Sequence, residues 1–352
     1  MKFIVWILLA VGVIVRFLTT LANFSDGQKV RISDRVKEEP VRYSYNQGFR
    51  LSGLRIYLPK YPEVSYGDRV VVEGVVDSGK LSNAKLIQLK KGNGLLLGLR
   101  ERLIKFYESS LPQPYSGLIA GMVLGSKTGL SESFWESLKK TSTAHVVVAS
   151  GMNVTLVAGF LVGATCLFLP RRKGVILAIL GVWLYAFLSG FDAPIIRAAA
   201  MGTVAFMAQA TGRLTSAWKS LLLSALAMLL IFPGWISDLG FILSFVATAS
   251  ILIFEPKVNK LLKNFPKLLR EDFSVTLAAQ IGVTPIIFAT FGQFNPLSPV
   301  INVLVLWTVA PITVIAGASA IIGLAFPFMG RILLYLCYPL AFWFVKVIAV
   351  FS

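Results

Sequence analysis

The sequence predicts a polytopic α-helical membrane protein with a small β domain outside the membrane, on three observations. Of 352 residues, 56% are hydrophobic and 14% charged, and the mean hydropathy is +0.73, a balance foreign to soluble globular chains. Apolar stretches of about 20 residues, long enough to cross a hydrocarbon core of about 30 Å as helix, recur along most of the length. The polar material is gathered in one block between Ser25 and Gly94.

Residues 1–24 read as an N-terminal transmembrane helix. FIVWILLAVGVIVRFLTTLA follows Lys2, and no small-residue cleavage site follows it cleanly, so the helix is expected to be retained with its N-terminus in the cytoplasm and Arg16 snorkelling to the far interface. Residues 27–93 change to period two in VRYSY, FRLSGLRIYL, DRVVVEGVV and AKLIQL, with Gly and Pro turns between the runs. Four or five strands in so short a block suit a compact barrel of OB type. Its Lys and Arg outnumber its Asp and Glu. Tyr43, Tyr45, Phe49 and Tyr57 are read either as base-stacking groups on a basic barrel or as its core.

Residues 95–145 read as amphipathic and re-entrant helices. LLLGLRERLIKFYESSL puts Leu99, Leu103, Phe106 and Tyr107 on one face and Arg100, Arg102 and Lys105 on others, which predicts a helix lying along the membrane surface. GLIAGMVLGS is too short to span unaided, and Ser131 or Ser133 is the expected N-cap of a turn running to Lys140. Residues 146–352 form the main helical bundle, with spans expected at 146–169, 174–190, 194–211, 216–232, 239–254, 273–291, 299–325 and 331–351. Arg171, Arg172 and Lys173, Arg213 and Lys219, and the run from Lys257 to Arg270 all fall at one end of these spans, while the opposite turns carry no Lys or Arg. The charged loops are therefore expected in the cytoplasm and the β domain outside.

The net charge of +17, from 34 Lys and Arg against 17 Asp and Glu, has two readings: positive-inside loops touching anionic lipid, or a polyanionic partner such as nucleic acid. Cys166 and Cys337 lie in apolar runs as small core hydrophobes, and a single His without CxxC argues against a zinc or two-metal centre. No cofactor is expected. There is no GxxxxGK[ST], so energy for transport must come from a gradient, a partner or the substrate.

The chain is organised around HVVVASGMNVTLVAG, His145 to Gly159, which carries His145, Ser150 and Asn153 into an apolar segment where a partnerless polar group is costly. Gly151 leaves the backbone bare for close approach. Under the expected topology Asp192, Arg197, Asp238, Ser244, Gln293, Asn295 and Asn302 share the outer level with them, which predicts a solvated cavity opening outward. Arg197 is read either as a phosphate contact or as half of an internal ion pair, with Asp238 better placed than Asp192 to be its mate. His145 is read as a helix-end hydrogen-bonder or as a nucleic-acid or proton group. Asn153 either lines the path or bridges helices.

HVVVASGMNVTLVAG, GFDAPIIRAAAMG, DLGFILSFVATASI, AQIGVTPIIF and LSPVINVLVLWTVAP, in this order, resemble the competence domain of the ComEC family over roughly Pro114 to Ser352. The resemblance implies an inner-membrane channel through which one DNA strand enters during natural transformation, and an N-terminal OB-like domain at 27–93. Carried over by position, His145, Ser150, Gly151, Asp192, Arg197, Asp238, Gly240 and Ser244 match its motifs; Gly151 and Gly240 are expected to permit close packing. Asn153 stands where the pattern usually has a second histidine, and GFILSF replaces GFQLSF. Many members carry a metallo-β-lactamase-like domain; no HxHxDH appears before Ser352, so the expectation is a non-enzyme.

The expected partners are single-stranded DNA, membrane lipid, and a separate DNA receptor, nuclease and cytoplasmic ATP-driven motor, with a homo-oligomer left open. Two other classes remain: a secondary transporter or flippase of another anionic substrate, against which stands the lack of a visible inverted repeat, and a membrane-anchored DNA-receptor scaffold.

Overall fold

The structure, a computed structural model, describes residues 11–16, 25–43, 45–147, 150–212, 216–264, 266–291 and 295–352. Most of the expected N-terminal span lies outside the described residues, as do Arg213 and Gln293 and the side chains of Cys166 and Lys267; residues 11–16 are helical.

The period-two block folds into six strands: β1 Lys29–Arg35, β2 Val41–Arg42, β3 Asn46–Leu51, β4 Leu54–Pro59, β5 Arg69–Asp77 and β6 Lys80–Lys90. The run expected at 49–58 is two strands, because Ser52 and Gly53 both take positive φ and reverse the chain in a two-residue hairpin. The order is β1-β5-β6-β4-β3-β2, antiparallel except for the β4–β6 pair. Inward positions supply a core of Ile32, Val36, Phe49, Leu51, Leu54, Ile56, Leu58, Val64, Val70, Val72, Val76 and Leu81. Phe49 is therefore core, whereas Tyr57 is partly exposed and Tyr45 fully so.

The sheet is open and mixed; the expected OB-like barrel is not closed. Its edges are β1 and β2, and β2 is only two residues long. Between them, residues 36–40 leave the sheet, turn Glu38 back to the Arg50 N–H of β3, carry Glu39 to Arg100 of the helical part and end in Pro40, which has no N–H to give a ladder.

The helices are α1 Leu95–Ser110, α2 Tyr115–Leu124, α3 Glu132–Lys140, α4 Ala144–Val147, α5 Gly151–Phe168, α6 Arg171–Leu188, α7 Ala193–Ala210, α8 Ala217–Ile231, α9 Leu239–Leu261, α10 Lys267–Phe291, α11 Ser298–Ala325, α12 Pro327–Tyr335 and α13 Tyr338–Phe351. A helix stands at every position where a span was expected after residue 145. Among the described residues four apolar runs are long enough to cross a membrane, Ala144–Gly163, Leu239–Leu261, Arg270–Thr290 and Ser298–Ala325, or five if α12 and α13, bent by 46°, count as one. Helices α6, α7 and α8 are not among them.

One core joins α1, α2, α4, α11, α12 and α13 around Tyr107, Leu118, Ile119, Met122, Ile301, Ile312 and Phe344. Others join α5, α6 and α7, and α7, α8 and α9. Helix α1 does not simply lie along a surface. Arg100, Leu103, Tyr107 and Ser110 form its buried face, and Tyr107 Oη donates to the carbonyl of Ala316 on α11 at 3.0 Å. Ser131 is the N-cap of α3, accepting from the N–H of Phe134 at 3.3 Å.

Candidate functional site

Two of the expected site carboxylates sit at helix starts that face the sheet. The turn Gly190–Phe191, positive in φ at both residues, delivers Asp192 to the N-cap position of α7, with Pro194 in the first turn. Its side chain makes no cap bond and instead stands 3.7 Å from Nζ of Lys127. Asp238 caps α9: Oδ1 accepts from the N–H of Phe241 at 2.9 Å, and Oδ2 is ion-paired with Arg50 of β3. A Cβ at Gly240 would stand 3.0 Å from that Oδ1, so the missing side chain leaves room for the cap.

Around these pairs the sheet is docked onto the helices. Glu38 accepts from the backbone N–H of Arg50 at 2.6 Å. Glu39 is buried and pairs with Arg100 at 3.1 Å. Tyr66 meets the Phe187 ring edge-on at 6.2 Å and lies under the Arg100 guanidinium at 5.5 Å. Burial raises the Glu38 carboxyl above its ordinary range, partly offset by the Arg50 N–H, and Asp192 raises Lys127. A carboxyl raised on folding contributes stability that is complete below the ordinary glutamate value and fades as pH rises through the raised one. Glu38→Gln keeps the acceptor and removes the titration. The variant is expected to gain thermal stability over the parent as pH rises from 5 to 8; a difference constant across that range would refute it.

Arg197 lies one turn inside α7 and belongs to neither ion pair. Its Nε donates to Ser244 Oγ at 2.7 Å, and Nη1 to Thr248 Oγ1, both on one face of α9, with Met201 Sδ 3.8 Å away. Every one of these contacts is neutral. Among the described residues no carboxylate reaches Arg197, so the expected mate Asp238 is corrected: its charge is taken by Arg50. Nη2 points at Gly151, the first residue of α5, where a Cβ would come within 3.0 Å of it and 3.3 Å of Ala198 Cβ. Ser150 is the N-cap there, yet its hydroxyl makes no cap bond. A guanidinium and the positive end of a helix with uncapped N–H groups thus share one spot, an arrangement that attracts anions.

The remaining candidates are placed differently. Asn153 is fully buried; its Nδ2 donates to the carbonyl of Met122 and its Oδ1 accepts from Thr313 at 3.5 Å, so it bridges α5 to α2 and α11 and lines no open path. Asn302 is buried on α11 with no partner for Oδ1 among the described residues. His145 sits on α4, hydrogen-bonded to the backbone of Ser142. Asn295 donates to the carbonyl of Lys140 at 2.7 Å. A depression of about 430 Å³ is lined by Gln113, Pro114, Ser131, Ser133, Phe134 and Ser137, and one of about 230 Å³ lies at the α9–α10 turn; neither touches Arg197. Sequence reasoning missed Thr248, although it stands four residues after Ser244, and it missed Arg50, Lys127, Glu38 and Glu39, which carry no local signal.

A bundle with several apolar helices and a small mixed sheet held to it through ion pairs fits the class of polytopic membrane proteins. Within that class the comparison is specific: the family described as Competence protein matches residues 122–352, and the chain belongs to this family, the ComEC-type competence proteins. It is 28% identical over 210 residues to ComE operon protein 3 of Bacillus subtilis, covering 59% of this chain and 26% of that protein. It is 28% identical over 145 residues to Competence protein ComA of Neisseria gonorrhoeae, covering 39% and 21%, and 29% identical over 90 residues to Recombination protein 2 of Haemophilus influenzae, covering 23% and 11%. The chain spans about a quarter or less of the length of these relatives. No solved structure matches it.

Proposed function

We propose that the chain conducts single-stranded DNA across the cytoplasmic membrane during natural transformation, with the sheet on the outer side and Arg197 as a phosphate contact on the path. The observation that carries this reading is the Arg197 guanidinium, desolvated, hydrogen-bonded only to neutral groups and aimed at the open N-terminus of α5. A cation kept in apolar surroundings without an anion is costly, and it is retained where an anion comes and goes. Competence and recombination relatives make a DNA strand the matching polyanion. The sheet, docked at the Asp192 and Asp238 ends, lies opposite the Lys-rich α9–α10 turn, in keeping with a cytoplasmic turn and an outer sheet. The chain does no catalysis in this scheme. Strand degradation, DNA capture and pulling belong to a separate nuclease, receptor and ATP-driven motor.

The test is binding of a fluorescent oligonucleotide to the detergent-solubilised full chain across a salt series. Each phosphate engaged on a single strand contributes a slope of about −0.7 in log affinity against log salt. A slope of several such steps is expected; salt-independent binding or none would shift the assignment to a transporter of small anions. Gly151→Ala pushes a methyl group into the Arg197 head, so it is expected to weaken oligonucleotide binding by about three- to tenfold, the equivalent of roughly 1 kcal/mol, without loss of folded protein. Unchanged affinity in that variant would separate Arg197 from the DNA.

A further inference from the structure

Helix α9 is 23 residues long, about 35 Å of helix, so its far end lies a membrane's thickness from the sheet. There the α9–α10 turn forms a notch of about 230 Å³ lined by Glu255, Pro256, Asn259, Lys260, Lys263 and Arg270. One oxygen of the acidic member of this lining is held by neutral donors, Glu255 Oε1 accepting from Asn259 Nδ2 at 2.8 Å and from Ser274 Oγ at 3.4 Å, so the three basic side chains leave the lining with a positive excess. Among the described residues neither Lys260, Lys263 nor Arg270 has a carboxylate partner, and the Nε of Arg270 is buried without a hydrogen-bond acceptor. Three cations thus converge on a concavity holding one buried N–H with nothing to bind, where ordinary interfacial lysines would point separately into water. The same two helices carry bare apolar side chains within a turn or two of these residues in sequence: Leu261 is 84% exposed and Ile253 and Val275 are also exposed.

We infer that this notch binds the phosphate of an anionic phospholipid, the headgroup seated between Lys260, Lys263 and Arg270 and the acyl chains running along the Ile253 and Val275 flanks. A phosphodiester supplies the acceptor that the Arg270 Nε lacks, and Arg with Lys is a common pairing for such groups. A basic recess between spanning helices at the interface is a recurrent headgroup site. The exposed aliphatic flanks favour a lipid over a soluble phosphate, which has no use for them. The inference stands independently of the path of the DNA strand.

The test is native mass spectrometry of the full chain released from mixed micelles of phosphatidylglycerol and phosphatidylcholine, with glycerol 3-phosphate and a short oligonucleotide offered separately. The expected result is preferential retention of one phosphatidylglycerol, reduced about tenfold in the double variant Lys263→Gln/Arg270→Gln and unchanged in Lys257→Gln, whose side chain belongs to the same basic run but not to the notch. Equal loss in Lys257→Gln, or no preference for the anionic lipid, would overturn the site in favour of diffuse interfacial charge. Retention of glycerol 3-phosphate or the oligonucleotide at the notch in place of the lipid would overturn the lipid assignment. Circular dichroism and the oligonucleotide salt slope of the double variant show whether a loss comes from unfolding.

Discussion

Arg197→Met is expected to reduce DNA uptake by about a hundredfold while the protein still inserts and is no less stable than the parent. The size follows from losing one charge-assisted contact to phosphate, about 3 kcal/mol in a desolvated setting. The stability sign is the discriminating part. Were Arg197 a structural residue paired with an acid, its removal would strand a buried charge and cost about 3–5 kcal/mol. Here the contacts are the hydroxyls of Ser244 and Thr248, and Asp192 and Asp238 are engaged by Lys127 and Arg50, so no charge is stranded. An apolar side chain of similar length removes an uncompensated desolvation cost, so melting temperature should hold or rise. Arg197→Lys keeps the charge but has no fork to reach Ser244, Thr248 and the α5 terminus together, so an intermediate loss of about tenfold is expected. Transformation frequency, membrane insertion and thermal unfolding are measured on the same three proteins. Normal uptake in Arg197→Met, or uptake lost together with the fold, would overturn the assignment.

Much of this arrangement is legible in the sequence, and the misses have physical causes. Hydropathy put a span wherever the bundle has a helix after residue 150, but it ran the bent pair α12 and α13 together as one, and the spans stopped at the edge of the apolar stretch. Helix α9 continues through Pro256 and Lys257 to Leu261, and α10 starts at Lys267, because once backbone bonding is established a helix runs on past the hydrocarbon into polar residues. The hairpin at Ser52–Gly53 carried its turn signal, yet the strand edges did not announce themselves, since closure of a barrel depends on pairings remote in sequence. The sequence singled out Asp192, Arg197, Asp238 and Ser244 for a polar level expected from topology. The split of these residues between contacts to the sheet and the Arg197 cluster was not legible, because Arg50 and Asp238 are separated by 188 positions, and nothing local distinguishes an Arg that crosses to the bundle from one that faces water. Arg100 was legible and misjudged: it stands three residues before Leu103 and seven before Tyr107, on the helix face those two bury.

Arg100 carries the largest expected effect on stability. Its Nε donates to the carbonyl of Leu188 at 2.8 Å and its Nη2 to that of Leu124 at 3.0 Å, the last residues of α6 and α2, while Nη2 also pairs with Glu39 at 3.1 Å. One guanidinium therefore satisfies acceptors that two helix ends leave open, opposes the negative ends of both dipoles, and neutralises the buried acid that the sheet inserts. Arg100→Leu is expected to destabilise the protein by about 3–5 kcal/mol, since it strands the Glu39 charge together with both carbonyls. Glu39→Gln leaves a neutral side chain and should cost less. In the double variant the stranded charge is gone and the orphan carbonyls remain, so it should be more stable than Arg100→Leu alone yet stay below the parent. Full recovery would mean that the ion pair was the whole of the interaction; no recovery would mean that Glu39 is not held by Arg100. Thermal unfolding of the four proteins in detergent gives the cycle, and limited proteolysis at Gly92–Gly94 reports the second consequence: release of the sheet from the bundle when its buried anchor is cut.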